Sequence, residues 1–307
     1  ESDGVYFYYL DPETNKRHLW KTQGTAETTT AVFTERTVSN VPMVKYKDTI
    51  LLSYYEFEDL LVIKGGVSHS VALKDAKIDH HCFFNENNFI VSNRSNDNAG
   101  EIVQIAAENE VNQIMPLGDS QYVNQMLMSN NSCYVLYDAE DNNRNKAVRI
   151  SEAGEVQHVD FSAIQSLVSL DDQVFISGQL NHEMSGVFKY NLDGSAVIKE
   201  LITSPNAIPR LVSVGGHILS EDHQSRDILD AELNVVSQLE KNEGNVYVFN
   251  DVLLITEASH MTLFQNGGVS QGFELSGFIL ESIISSTQTN TYFLQLKDRT
   301  TGDSGVY

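Results

Sequence analysis

Several short strings in this sequence carry residue types that could do chemistry. GVSQG (268–272) has the G-x-S-x-G form of a nucleophile elbow, in which a serine sits on a strained turn between a strand and a helix and an acid and a histidine follow. Here the string follows the apolar run MTLFQ and leads into another strand-like segment, so it reads as the turn of a β-hairpin. GDSG (302–305) surrounds Ser304 as an activated serine would be surrounded, but Val306 stands where a further glycine is needed. DHHC (79–82) brings together zinc-ligand types, yet the chain has only 2 cysteines, Cys82 and Cys133. Neighbouring histidines on a strand, His80 and His81, point to opposite faces, and a metal would need more ligands from other strands.

Two acidic loops offer oxygen ligands. DAEDNNRNK (138–146) places Asp138, Glu140 and Asn142 at alternating positions, the spacing that suits calcium, although the glycine and terminal glutamate of a full loop motif are missing. SNDNAGE (95–101) supplies Asp97, Asn98 and Glu101. No cofactor is expected, and calcium through Asp138, Glu140 and Asn142 is the one alternative. Asn and Asp are also the residues an exposed turn between two strands would carry anyway. Aromatic residues gather at YFYYLD (6–11) and YYEF (54–57), and bulky side chains packed between sheets account for them more simply than sugar stacking.

The elements that must position these residues are strands. TILLSYYEF (49–57), CYVLYD (133–138), QVFISG (173–178), NVYVFND (245–251) and NTYFLQLKD (290–298) are β-branched and aromatic runs bounded by Asn, Asp, Gly and Ser, and helical periodicity is nearly absent. A repeat underlies them. GGVSHSVAL (65–73) matches GGVSQGFEL (267–275), and the same hairpin recurs as ENEVNQIMPL (108–117), EAGEVQHVDF (152–161), LDGSAVIKEL (192–201), AELNVVSQLE (231–240) and the divergent QGTAETTTAVF (23–33). Its closing apolar residues, Phe33, Leu73, Leu117, Phe161, Leu201, Leu239 and Leu275, recur 36 to 44 residues apart. That is the length of a four-stranded propeller blade.

The expected fold is therefore all-β: one β-propeller domain spanning 1–307, with seven blades counted and eight as the alternative. The first strand of each blade would line the channel. FILESIISST (278–287) would join the N-terminal strands to close the ring and remove free edges. Eight blades would follow if the segment after it forms a blade of its own, with both ends cut from a longer protein.

One stretch resembles a known family. HLWKTQGTAETTTAVF (18–33) is similar to the ELWxxDGT-type, or hyalin-like, propeller repeat of bacterial surface and secreted proteins. Leu19, Trp20, Lys21, Thr22, Gly24 and Thr25 fit the pattern, while His18 stands for its Glu and Gln23 for its Asp. The resemblance implies a propeller of exported origin, an aromatic packed between blades and a glycine turn. It implies no activity.

Composition narrows the partners. Of 307 residues 41% are apolar, enough for a core, and no apolar run is long enough to span a membrane as a helix. The 42 acidic against 20 basic side chains give a net charge of −22, which repels phosphate backbones and excludes nucleic acid as a partner. Solubility, a salty extracellular setting or cation binding would each suit such a surface. Two cysteines are too few for a disulfide-built scaffold, and both read as buried, unpaired thiols. The opening residues ESDGVYFYYL lack a signal peptide's basic start, so an exported protein would already have shed it.

The function expected from all this is a non-enzymatic binding or interaction domain of a secreted, cell-surface or periplasmic bacterial protein, part of a larger chain or assembly. A glycan or protein ligand would sit at the channel mouth. The alternative is a propeller hydrolase or lyase acting on a polysaccharide, with acids, histidines or tyrosines drawn from several blades.

Overall fold

The computed structural model describes residues 4–34, 43–53, 59–65, 67–73, 78–94, 100–107, 110–118, 121–139, 144–180, 184–190, 197–202, 208–223, 225–239, 245–249, 252–256, 260–265, 268–274, 278–286 and 291–306. Among these residues 30 strands form eight antiparallel sheets, in two compact units, Glu1–His158 and Val159–Tyr307. In the first unit, sheet A holds β1 (Val5–Leu10), β2 (Arg17–Thr22) and β3 (Thr30–Phe33), and sheet B holds β4 (Met43–Tyr46), β5 (Thr49–Ser53), β6 (Asp59–Lys64) and β7 (Val67–Ala72). Sheet C holds β8 (Ile78–Asn85), β9 (Asn88–Arg94), β10 (Gly100–Ile105) and β11 (Val111–Pro116), and sheet D holds β12 (Val123–Ser129), β13 (Ser132–Asp138), β14 (Asn145–Ser151) and β15 (Val156–His158).

In the second unit, sheet E holds β16 (Ala163–Leu170), β17 (Gln173–Leu180), β18 (Met184–Tyr190) and β19 (Val197–Ile202). Sheet F holds β20 (Arg210–Val214), β21 (His217–Glu221), β22 (Arg226–Leu229) and β23 (Val235–Leu239). Sheet G holds β24 (Asn245–Phe249), β25 (Val252–Thr256), β26 (His260–Gln265) and β27 (Gly268–Glu274), and sheet H holds β28 (Phe278–Ser286), β29 (Thr291–Asp298) and β30 (Ser304–Val306). Every sheet is a meander in chain order, the form of a propeller blade. The segment expected to complete the N-terminal blade, 278–287, instead pairs as β28 with β29, while β1 pairs with β2. The first three and last three strands are thus separate sheets, and the count is eight rather than seven. A hairpin between neighbouring segments closes a short loop, which costs less entropy than pairing the chain's two ends.

The middle strands are unbroken apolar runs because both their faces are buried. In β5, Ile50 and Leu52 pack with Leu19 and Phe33 of sheet A, while Leu51 packs with Phe89 and Val91 of sheet C. In β25, Leu253 and Ile255 pack with Leu219 and Ile228 of sheet F, while Leu254 packs with Leu296 of sheet H. The period-2 alternation of a strand is therefore an alternation between two apolar neighbours, not between core and water. The repeating apolar residues close these layers: Phe33, Leu73, Leu117 and Phe161 are buried, Leu201 and Leu239 pack against their clusters, and Leu275 lies outside the described residues.

The hairpin repeat read from sequence also predicts turn geometry. In EAGEV the Ser151 amide donates to Glu155 O and the Gly154 amide to Ser151 O; in AELNV the Asp230 amide donates to Asn234 O and the Leu233 amide to Asp230 O. The aligned residues Gly154 and Leu233 have φ of 83° and 57°. Leucine pays a steric penalty there that glycine does not, and burial of its side chain in the sheet E–F layer offsets it. Asp11, Asp230 and Asp298 start such turns by accepting downstream amides, from Glu13, from Glu232 and Asn234, and from Thr300 and Thr301 respectively. These bonds hold the Asp11 carboxyl, through Thr14 first, and the Asp298 carboxyl, through the Thr301 amide first, below the usual range.

The same turn is held by the sheet before it. In the third strand of sheet C, Gln104 Nε2 donates to Glu152 O at 2.8 Å; in the third strand of sheet E, Lys189 Nζ donates to Ala231 O at 3.1 Å and to Glu232 Oε1 at 2.7 Å. Glu152 and Ala231 occupy the same place in the two aligned turns. Lys189 is buried while Glu232 is largely exposed, so the carbonyl contact should outweigh the ion pair. Lys189→Met should lower the unfolding free energy by about 1.5–3 kcal/mol in urea titration, and Glu232→Ala by less than about 1 kcal/mol.

Candidate functional site

With both faces of the middle strands buried, polar side chains reach solvent on the outer strands and at strand ends, and there three of the eight first strands share a device. In β12, Val123 pairs with Tyr137 and Gln125 with Leu136, leaving Asn124 unpaired. In β16, Ile164 pairs with Gly178 and Ser166 with Ser177, leaving Gln165 unpaired. In β28, Leu280 pairs with Leu296 and Ser282 with Gln295, leaving Glu281 unpaired. Each is a β-bulge, one extra residue that bends the strand and re-aims a side chain. Asn124, Gln165 and Glu281 are all exposed. β8 has a related irregularity between Ile78 and His81, at Asp79 and His80. In every case the bulge lies at the end of its sheet that also carries the turn between the second and third strands.

None of these residues stands out by type, but the local sequence carries a signal. V-N-Q-M, I-Q-S-L and L-E-S-I each set two consecutive polar residues inside an apolar strand, and a flat strand would bury one of them. Sterics enforce the bulge in sheet E. A Cβ on Gly178, opposite Ile164, would stand 2.6 Å from Ala163 O and 3.1 Å from the Phe161 ring, so that position tolerates no side chain.

Around Asn124 the bulge builds a polar cluster. Its amide Nδ2 donates to Asp138 Oδ1 at 2.6 Å and to Asn145 Oδ1 at 3.1 Å, and the Asp138 amide donates to Tyr122 O at 2.9 Å. Asp138, expected as a calcium ligand, thus sits at the end of β13 facing the loop to β14. Glu140 and Asn142 lie outside the described residues, as do residues 95–99 of the second acidic loop, among them Asp97 and Asn98. Among the described residues no three His, Cys, Asp or Glu side chains gather as a metal-holding group. Around Glu281 the cluster is charged: Oε2 accepts from Ser304 Oγ at 2.8 Å and Gln295 Nε2 at 3.1 Å, and Lys297 Nζ lies 4.0 Å from Oε1.

The catalytic-looking strings resolve into this framework. Ser304 of GDSG hydrogen-bonds a carboxylate, not an imidazole. GVSQG lies within β27, just past its turn rather than in it, and Ser270 falls at a bulge between Val269, opposite Phe264, and Gln271, opposite Leu263. The His80 amide donates to Ser92 Oγ at 3.0 Å, while His81 is exposed at one edge and stands edge-on to Phe83 at 5.7 Å. Desolvation against this packing, and then the neighbouring His80, hold the His81 imidazole below its ordinary pKa.

Tyr6 and Tyr8 pack against the sheet A–B layer, as expected of the first aromatic cluster; the second, 54–57, lies outside the described residues. Between sheets A and B a cleft of about 320 Å³ is lined by Tyr6, Lys21, Val32, Asp48, Ile50 and Ile63. Lys21 and Lys45 place Nζ 5.5 and 5.2 Å from the Tyr6 ring centroid, a local cationic spot on an acidic chain. In the 18–33 segment Leu19 is fully buried, Trp20 stands edge-on to Tyr9 at 5.8 Å, and Gly24 turns at φ 105°.

No family model and no curated protein sequence matches the chain. Solved structures do. A prolyl endopeptidase is 11% identical with a TM-score of 0.57, covering 98% of this chain and 54% of its own, so this chain spans about half of that enzyme. Dihydro-heme d1 dehydrogenase NirN, in complex with DHE, is 11% identical with a TM-score of 0.54, covering 99% and 73%. BamB from Moraxella catarrhalis is 8% identical with a TM-score of 0.51, covering 100% and 91%. At such identities the likeness speaks for fold alone, and the fold is a β-propeller. No helix among the described residues is long and apolar enough to cross a membrane.

Two measurements test the site. Gly178→Ala should lower stability by about 1–3 kcal/mol in denaturant titration, because the bulge cannot accept the methyl group without moving Ala163. Calcium held by Asp138, Glu140 and Asn142 should raise Tm at millimolar concentration, and Asp138→Asn should remove most of that rise. A wild-type Tm indifferent to calcium would exclude the loop as a calcium site.

Proposed function

We propose that this chain is a binding or interaction domain, without catalysis of its own, that holds a protein or glycan ligand at the bulged ends of the first strands β16 and β28 of its second unit. The observation that carries this is the recurrence of one bulge in β12, β16 and β28 with Asn124, Gln165 and Glu281 exposed at it. In a propeller the first strands border the central channel, so residues at this end are candidates for the channel mouth. An amide and a carboxylate in one structural slot suit hydroxyl groups and main-chain amides, the common chemistry of glycans and extended peptides.

The hyalin-like resemblance at 18–33 supports an exported bacterial setting, secreted, cell-surface or periplasmic, within a larger chain or assembly. A polysaccharide hydrolase or lyase is the second reading. Glu281, already hydrogen-bonded by Ser304 and Gln295, is the carboxylate that favours it, and such chemistry calls for a second acid within reach.

The test is a glycan-array and protein-partner screen on the whole chain, repeated with the combined variant Gln165→Ala and Glu281→Ala. Affinity for the captured ligand should fall tenfold or more while Tm shifts little. Unchanged affinity would remove the bulged ends as the site. Turnover of a captured polysaccharide, abolished by Glu281→Gln, would replace the binding reading with the enzymatic one.

A further inference from the structure

The two buried, unpaired thiols expected from the sequence are both free and buried, and the packing sets them in one layer. Cys82 lies in the first strand of sheet C and Cys133 in the second strand of sheet D. Although they occupy different points of their blades, stacking of the sheets brings them into one apolar layer with Ile90, Ile102, Val135 and Val148. Both are reduced, with exposures of 3% and 0%, and the Cys133 thiol donates a hydrogen bond to the Cys82 sulfur. They are the chain's only cysteines, so each has one protein partner available.

We propose that Cys82 and Cys133 form a buried disulfide that staples sheet C to sheet D when the chain folds under oxidising conditions. The sheets are already registered here without it. Asn85 Nδ2 donates to Glu152 Oε1 at 2.9 Å and Gln104 Nε2 to Glu152 O, so sheets C and D are held together independently of the cysteines. The residues between them form a long loop whose closure restricts the unfolded chain strongly.

The oxidant is a low-molecular-weight disulfide such as glutathione disulfide. One cysteine thiolate attacks it, giving a mixed disulfide and releasing one glutathione thiolate. The other cysteine then attacks the protein-bound sulfur, forming the Cys82–Cys133 bond and releasing the second. Two protein thiols are oxidised, one disulfide is reduced to two thiols, and the two cysteine protons end on glutathione. Burial, reinforced by the neighbouring Cys82, pushes the Cys133 thiol well up. The folded Cys133 thiol is therefore a poor nucleophile, exchange belongs to the unfolded or opened chain, and the finished bond is shielded from reductant by its burial.

The inference does not depend on the binding role. Its test is to refold the full chain in glutathione buffers from fully reduced to fully oxidised, alkylate after denaturation, and measure intact mass with peptide mapping. Oxidised samples should lose two hydrogens, take no label and yield a joined Cys82–Cys133 peptide. Their Tm should exceed that of the reduced protein by about 5 °C, a difference absent from the Cys82→Ser, Cys133→Ser double variant. Two fully labelled cysteines, or glutathione adducts alone, in the oxidised buffer would overturn the proposal. So would a joined peptide with no gain in Tm, since a strained bond is not a staple.

Discussion

Burial of the middle strands on both faces is the constraint on which the rest of the structure depends. A sheet that packs on two neighbours has no wet face, so any polar group along its middle strands must find a partner across the layer or at a strand end. The exceptions obey this. The Leu211 amide donates to Ser166 Oγ between sheets E and F at 2.8 Å, Ser177 Oγ donates to Pro209 O, and buried Arg226 gives Nε and Nη2 to Glu221 Oε1 at 3.0 and 2.6 Å. Gln104 and Lys189 follow the same logic, each joining its sheet to the next one's turn. Arg226 pairs within its own sheet, and the other polar groups inside act as links between layers.

The same constraint dictates where function can sit. Faces consumed by packing leave strand ends and turns, and a straight first strand would send its polar residues alternately into apolar layers. A bulge escapes this by inserting one residue, after which pairing resumes at Gln125, Ser166 and Ser282. The bend has local costs, seen in the absence of any side chain at Gly178. A backbone irregularity repeated in three sheets, each time with an exposed polar residue, is better explained by presentation of those residues than by folding alone.

Much of the fold was legible because packing imposes periodicity on residue type. Apolar runs of strand length, turn residues between them and a 36–44-residue recurrence all follow from stacked four-stranded sheets, and the aligned turns of Gly154 and Leu233 show that the register was read correctly even where glycine had been lost. The blade count was harder, because a three-stranded sheet at either end and a shared closing sheet use the same strand sequences and differ only in pairing. The bulges were missed because Asn, Gln and Glu near a strand start look like ordinary boundary residues; only the doubled polar pair inside an apolar run marks them. The burial of Cys82 and Cys133 as free thiols was legible, but their shared layer was not, for a related reason. Position within a repeat fixes a residue along its own sheet, whereas contact across layers depends on the offset between sheets, which no single repeat encodes.

The contrast between slots separates architecture from recognition. At the closing position of the repeat, Phe33, Leu73, Leu117 and Phe161 vary only in shape, since each must fill the same layer. At the bulge, Asn124, Gln165 and Glu281 share exposure and backbone geometry but differ in length and charge, and their neighbours differ too: a carboxylate and an amide carbonyl around Asn124, a hydroxyl and an amide around Glu281. A slot kept only for folding would be free to repeat one residue. Positions alike in geometry and unlike in chemistry give each of these blades a polar strand end of its own on a repeated scaffold.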